Sequence, residues 1–172
     1  MPRPSVRTPA AGPVITVAGI DPGPEESALV LFDGQRVVNA VYQANEFVLA
    51  ELIRLAGACL LVIEKIASFG MPVGAEVFET VYWSGRFAQA YGVEHVERIT
   101  RIDVKMHLCH SPRAKDANIR QALIDRFGKV GTKKNPGPLY GISGDLLSAL
   151  AVAVTQHDRM SVSGLNRKVA NY

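Results

Sequence analysis

The apolar positions of the chain fall into two kinds of run. The first kind is short and unbroken: VITVAGI at 14–20 ahead of Asp21, and ACLLVI at 58–63 ahead of Glu64. Unbroken runs of this length, rich in β-branched residues, predict strands buried on both faces, here over 14–19 and 58–63. Pro22-Gly23 stops the first at once, because proline has no N–H to donate and glycine accepts the turn. Between the two runs, SALVLF (27–32) and RVVNAVY (36–42) flank Asp33-Gly34 and predict a hairpin. VEHVERI (93–99) alternates and predicts a half-exposed strand.

The second kind of run repeats at three and four residues. It predicts a helix over Glu46–Ala56 with Asn45 as N-cap, and another over Ala75–Tyr91 closed by Gly92. A third covers Lys115–Phe127, with Ile119, Ala122, Leu123 and Phe127 on one face. The last, Gly144–His157, is apolar on most sides and so belongs in the interior. Asp103–Leu108 reads as a short helical piece, and 128–140 as a Gly-, Pro- and Lys-rich loop that either closes over a ligand or is ordinary connection. Three antiparallel strands followed by strands reached through helical crossovers describe a mixed α/β sheet with helices on both faces. A right-handed crossover lays the second unbroken strand parallel to the first. If the two are neighbours, Asp21 and Glu64 emerge side by side at one sheet edge.

At 172 residues the chain has room for one domain with a real core, expected over 14–158. The basic, Pro-rich stretch 1–13 is expected to be a disordered arm, and 159–172 a polar tail. No apolar run approaches the ~20 residues of a membrane span, and no secretory h-region precedes Asp21. Cys59 and Cys109 form no Cys-x-x-Cys pair, which fits reduced thiols in a cytoplasmic protein. The net charge of +3 conceals an asymmetry: Arg98–Lys134 holds ten Lys and Arg against three Asp, while the rest of the chain is acidic. An acidic metal site beside a basic phosphate-binding surface explains that split, and so does a solvated helix face.

Two carboxylates at adjacent strand ends repel each other unless a cation or a shared proton intervenes. Hard oxygen ligands suit Mg2+ or Mn2+. Asp145, at the head of the last helix, is the third candidate ligand. Taken singly, Asp21 also reads as a turn former and Asp145 as a first-turn acid that complements the helix dipole. His107, Cys109 and His110 cluster in sequence but lack a fourth partner for a zinc site.

GIDPG at Gly19–Gly23, LVIEKI at Leu61–Ile66 and GDLLSALAVAVT at Gly144–Thr155 together resemble the RuvC-type Holliday junction resolvases of the ribonuclease-H-like superfamily. Loop lengths and the phrase IASFGMPVGAEVFET look most like phage-encoded members. The resemblance implies a ribonuclease-H-like mixed five-stranded sheet and a Mg2+- or Mn2+-dependent endonuclease with two ions per site. It makes Asp21, Glu64 and Asp145 the catalytic metal ligands. The implied reaction nicks Holliday junctions and other branched DNA, leaving 5′-phosphate and 3′-hydroxyl ends. Lys105 and Lys115 resemble the family's DNA-contacting lysines, with Arg113 and Lys65 as further candidates. Phe69 resembles an aromatic that stacks on unpaired bases. One departure stands out: the family's last motif carries a second Asp where this chain has Ser148.

The implied partners are branched DNA and a second copy of the chain, because a four-way junction presents two cut sites about a two-fold axis. A stripe of Val77, Val81, Ser84, Gly85 and Ala88 on the 75–91 helix is the surface expected to meet that copy. If the chain is phage-encoded, the expected compartment is the bacterial host cytoplasm. Two other readings stay open: a nuclease like the YqgF-type family that acts on RNA precursors, and a junction binder that does not cut. A sugar-kinase-like ATPase, which shares GIDPG, needs two such lobes where this chain holds one.

Overall fold

The computed structural model of the chain describes residues 15–68 and 70–169, with side chains described as far as Val162. Three strands come first: β1 (Val17–Asp21), β2 (Glu26–Phe32) and β3 (Val37–Ala44). Helix α1 (Asn45–Leu55) leads to β4 (Leu60–Lys65), and α2 (Ala75–Tyr91) leads through a 3-10 turn to β5 (Val96–Thr100). Helices α3 (Arg101–Cys109), α4 (Asp116–Phe127) and α5 (Asp145–Val169) follow. The strands form one sheet in the order β3-β2-β1-β4-β5. β1 is antiparallel to β2 and parallel to β4, and β5 is parallel to β4. This is the mixed sheet with helices on both faces that the hydrophobic pattern predicts, in the five-stranded, ribonuclease-H-like form that the resemblance implies.

The two faces of the sheet carry separate cores, set by the period of two along each strand. Ala18, Ile20, Leu61 and Ile63 point toward α1 and α2, where Val48, Leu52, Trp83, Phe87 and Tyr91 cover them. Val17, Val30, Val62 and Ile99 point the other way, under α3, α4 and the buried run Ala149–Val154 of α5. Gly19 shares that second face. A Cβ on it would lie 2.3 Å from the Ala149 carbonyl oxygen and 2.8 Å from the Ala153 Cβ, so glycine is what allows α5 to seat directly on β1. By the same parity Asp21 and Glu64 both face the α5 side.

Four local expectations change. Asn45 does not cap α1; Ala44 occupies the N-cap position, and the fully buried Asn45 side chain turns inward instead. The short helix begins at Arg101 rather than Asp103, because Thr100 and Asp103 form a capping box: the Asp103 N–H donates to Thr100 Oγ1, and the Thr100 N–H donates to Asp103 Oδ2 at 2.8 Å. Helix α5 does not stop at His157 but continues through Val169. Asp158 anchors the continuation to Arg126 and His107, and Arg159 anchors it to Asp103. The 128–140 loop is an ordered hairpin, with Gly131 bridging Pro136 and the Gly137 N–H donating to the Val130 carbonyl at 2.8 Å. Pro138 sits beside Phe32, Val37 and Phe127. Because Phe32 pairs with Val17 and Ala28 with Asp21, this hairpin lies at the sheet end opposite the acids and does not cover them.

The arm at 1–13 and Phe69 lie outside the described residues. No helix among the described residues is long and apolar enough to cross a membrane.

Candidate active site

The site is built from the strand ends upward. Ile20 on β1 pairs with Ile63 on β4, so the next residue of each strand places Asp21 beside Glu64 on the α5 face. The turn that follows Asp21 is held by a buried polar set. Ser27 Oγ donates to Asn45 Oδ1 at 2.6 Å, Asn45 Nδ2 donates to the Gly23 carbonyl at 3.0 Å, and the Gly23 N–H donates to Ser27 Oγ at 3.1 Å. A Cβ at Gly23 would sit 2.3 Å from the Glu26 carbonyl oxygen, so the turn excludes other side chains there. Asp145 opens α5 over the same edge and is exposed to solvent. Ser148, one turn further along α5, is close enough to Asp21 for its hydroxyl to favour the charged carboxylate.

Electrostatics reflect this crowding. Burial, reinforced by the charges of Glu64 and Asp145, pushes the Asp21 carboxyl up to about 7; Arg101 and the Ser148 hydroxyl pull the other way. Glu64 is buried and also raised, mainly by desolvation, with Arg101 as its chief counterweight. The Arg101 guanidinium bridges two carboxylates, with Nη1 3.3 Å from Glu64 Oε2 and Nη2 2.6 Å from Asp116 Oδ1. Burial works against its charge, but Asp116 and Glu64 outweigh burial and hold its pKa above the ordinary arginine value.

Two clefts meet at Asp145. The smaller, about 270 Å3, is lined by Arg101, Asp116, Arg120, Gly144, Leu147 and Ser148 among others. The larger, about 660 Å3, runs between the 23–26 turn, Tyr42 on β3 and the start of α2, and adds Glu25, Glu26, Glu76 and Glu79. Tyr42 lies near Glu26 and Asp145; its pKa rises through desolvation first and these two charges second.

The donor set fits a hard divalent cation. Every ligating atom is an oxygen, and without a cation one carboxylate is driven toward protonation near neutral pH. Among the described residues no three His, Cys, Asp or Glu side chains already converge as a cage. Asp21, Glu64 and Asp145 instead stand along an open edge of the sheet.

The other expected residues are distributed unevenly. Lys105, half-buried on α3, is close enough to Glu64 and Asp116 to lower both carboxyls. Lys115 caps the start of α4 next to Asp116 and is exposed, as is Arg113, whose N–H donates to Ser111 Oγ. Lys65 is exposed at the end of β4, one residue past Glu64. His107 bonds Asp158 at 2.8 Å and Cys109 packs against the core, so neither leads to a zinc site. Sequence reasoning missed Arg101, Tyr42, Glu26 and the Asn45–Ser27 pair. The one local signal for Arg101 was its position directly after an alternating strand that neighbours Glu64.

Sheet order, helix placement and acids at adjacent parallel-strand ends define a ribonuclease-H-like domain with a candidate metal-dependent site. Solved structures narrow the likeness. The fold matches "T. thermophilus RuvC in complex with Holliday junction substrate" with a TM-score of 0.62 at 19% identity, over 86% of this chain and 96% of that one. It matches "Thermus thermophilus RuvC structure" with the same TM-score at 20% identity, over 86% and 97%. No protein-family model and no curated protein sequence matches the chain. The likeness is therefore one of fold, and the fold is RuvC-like.

Proposed function

We propose that this chain is a divalent-metal-dependent, structure-selective endonuclease that nicks four-way and other branched DNA during recombination or phage DNA processing. The observation that carries the reading is the placement of Asp21 and Glu64 at adjacent parallel-strand ends beneath Asp145, within a RuvC-like fold. Asp21, Glu64 and Asp145 would hold Mg2+ or Mn2+. Bound there, such ions supply a polarised water and neutralise charge on the departing 3′ oxygen.

The chain's own groups do the rest. Asp21, Glu64 and Asp145 line the reacting edge and keep it anionic until a cation arrives. Ser148 holds the Asp21 carboxylate in place. Lys105, beside the acids, and Lys115 and Arg113, just ahead of α4, offer side-chain cations to phosphates without reading sequence. Lys65 flanks Glu64 on the open side. The chain is proposed to act as a homodimer, so that two such edges address two strands.

The deciding experiment compares four-way, three-way, flap, duplex and RNA substrates with Mg2+ and with EDTA. The expected result is Mg2+-dependent nicking of the four-way junction, lost in Asp145→Asn while junction binding persists. Preferential cutting of RNA would favour an RNA-processing role. Tight junction binding with no cutting under either condition would make the chain a binder. Lys105→Ala and Lys115→Ala are expected to weaken binding to all branched substrates alike, each lowering the salt slope by about one phosphate contact.

A further inference from the structure

Arg101 is the charged group at the site that the proposed function leaves without a task. It opens α3 immediately after β5, and β5 is the strand that pairs with β4, where Glu64 lies opposite Ile99. The Thr100–Asp103 capping box fixes the backbone from which Arg101 projects. Its fork is divided between an inner and an outer partner. The Arg101 side chain is 22% exposed; Glu64, its inner partner, is 11% exposed, whereas Asp116, its outer partner, is 81% exposed. One N–H group therefore reaches into the acid cluster while another is tied to the rim. A planar guanidinium with donors in fixed directions bridges two carboxylates in this way, and a lysine ammonium does not hold both.

Charges of both signs meet at this edge. Arg101 is felt at Asp21 as well as at Glu64, and Lys105 and Asp116, which takes the other arm of the Arg101 fork, act on Glu64 too. A cation that enters the cluster therefore meets a fixed positive charge already seated on one of its carboxylates.

We propose that Arg101 is a positioning residue that orients Glu64 for the cleavage of DNA and, as a permanent countercation, competes with a divalent ion for the acid cluster. The part that concerns DNA rests on the nuclease reading; the part that concerns ion binding does not.

The test is calorimetric titration of Mn2+ into the DNA-free full chain, paired with single-turnover and steady-state cleavage of a four-way junction. Arg101→Gln removes the countercation, and relief of like-charge repulsion outweighs the lost hydrogen bond to Glu64. This variant is expected to bind Mn2+ at least ~10-fold more tightly than the wild type. Arg101→Lys keeps the charge and loses the bridge. It is expected to keep the wild-type Mn2+ affinity while kcat falls by ~10-fold or more at unchanged KM.

An Arg101→Gln protein whose Mn2+ binding equals the wild type overturns the proposal. Wild-type kcat in Arg101→Lys overturns the positioning role, and that variant is informative even where Arg101→Gln melts early. If the Mn2+ results come out as expected but no branched DNA is cut, the nuclease reading fails and the ion-binding assignment of Arg101 stands.

Discussion

Asp21 shows what a single position in this site costs the fold. Its folded pKa of about 7 lies above the ordinary value of 3.8, so in the metal-free protein the native state holds a proton that the unfolded chain has already released. Stability from this group is full below pH ~4 and is lost as pH rises toward 7. Asp21→Asn removes the penalised charge. It is expected to raise the melting temperature of the metal-free chain by several degrees at pH 8, with little change at pH 4, while abolishing cleavage. Scanning calorimetry in EDTA at both pH values checks it; an unchanged melt at pH 8 would show that the charge is not strained. Ser148 poses the converse question. Ser148→Asp places a fourth carboxylate beside Asp21, so it is expected to lower the Mg2+ needed for half-maximal rate and to lower metal-free stability. A Mg2+ titration that superimposes on the wild type would place position 148 outside the ion's reach.

Between elements, two polar clusters do the holding, one at each end of the sheet. At the acid end, Asn45 ties the start of α1 to the 23–26 turn through Ser27 and the Gly23 carbonyl. Because Asn45 is fully buried, Asn45→Ala leaves the Ser27 hydroxyl proton without its acceptor and the Gly23 carbonyl without its donor, and is expected to cost about 1–3 kcal/mol. It is also expected to raise the Mg2+ requirement, since the turn follows Asp21 directly. Urea unfolding and Mg2+-dependent rates measure the two effects separately. Toward the C-terminal part of α5, Asp158 joins α5 to α4 and α3 through Arg126 and His107. Burial pushes the Asp158 carboxyl up, but the hydrogen bonds from Arg126 and His107 and the Arg126 charge prevail and hold it below 3.8. Its contribution is thus present above pH ~4 and disappears as pH falls through the folded value, the opposite sense to Asp21. Asp158→Asn is expected to destabilise the chain at pH 7 and to match the wild type near pH 2, as urea midpoints at the two pH values will show.

At the scale of the whole molecule, α2 is the surface on which the proposed dimer would form. The expected stripe of small residues does not form one face. Ser84 is buried and Ala88 packs toward the core, while Trp83, Phe87 and Tyr91 fill the space above Ile20 and Ile63. The outward face instead carries Phe78, Val81 and Tyr82, which are 64%, 46% and 59% exposed, together with Gly85. A Cβ at Gly85 would meet nothing within 4 Å, so no contact inside the protomer requires a glycine that costs the helix about 1 kcal/mol relative to alanine. A second copy of α2 crossing closely at Gly85 would use both the gap and the apolar side chains around it. Sedimentation is expected to show a dimer for the wild type at micromolar concentration and a monomer for Gly85→Arg. A Gly85→Arg protein that stays dimeric and still cuts both strands would rule this interface out.

The unbroken apolar runs ending in Asp21 and Glu64 determined the central strands by themselves, because a strand buried on both faces leaves no room for polar positions until it stops. The order of strand and helix periods then determined the mixed sheet and its crossovers, and with them the shared edge of the two acids. Periodicity reports which positions are buried, not what they meet. It could not say that aromatic residues rather than small ones fill the inner face of α2, since both patterns repeat at three and four residues. Nor could it reveal that Asn45 turns inward, because capping and buried asparagines look alike in sequence. The hairpin's distance from the acids followed only from where Pro138 docks on Phe32. Arg101 meets Glu64 across 37 residues of chain. Contacts of that separation depend on strand register and helix seating together, and only the tertiary structure brings a guanidinium from one strand's end against a carboxylate from the next.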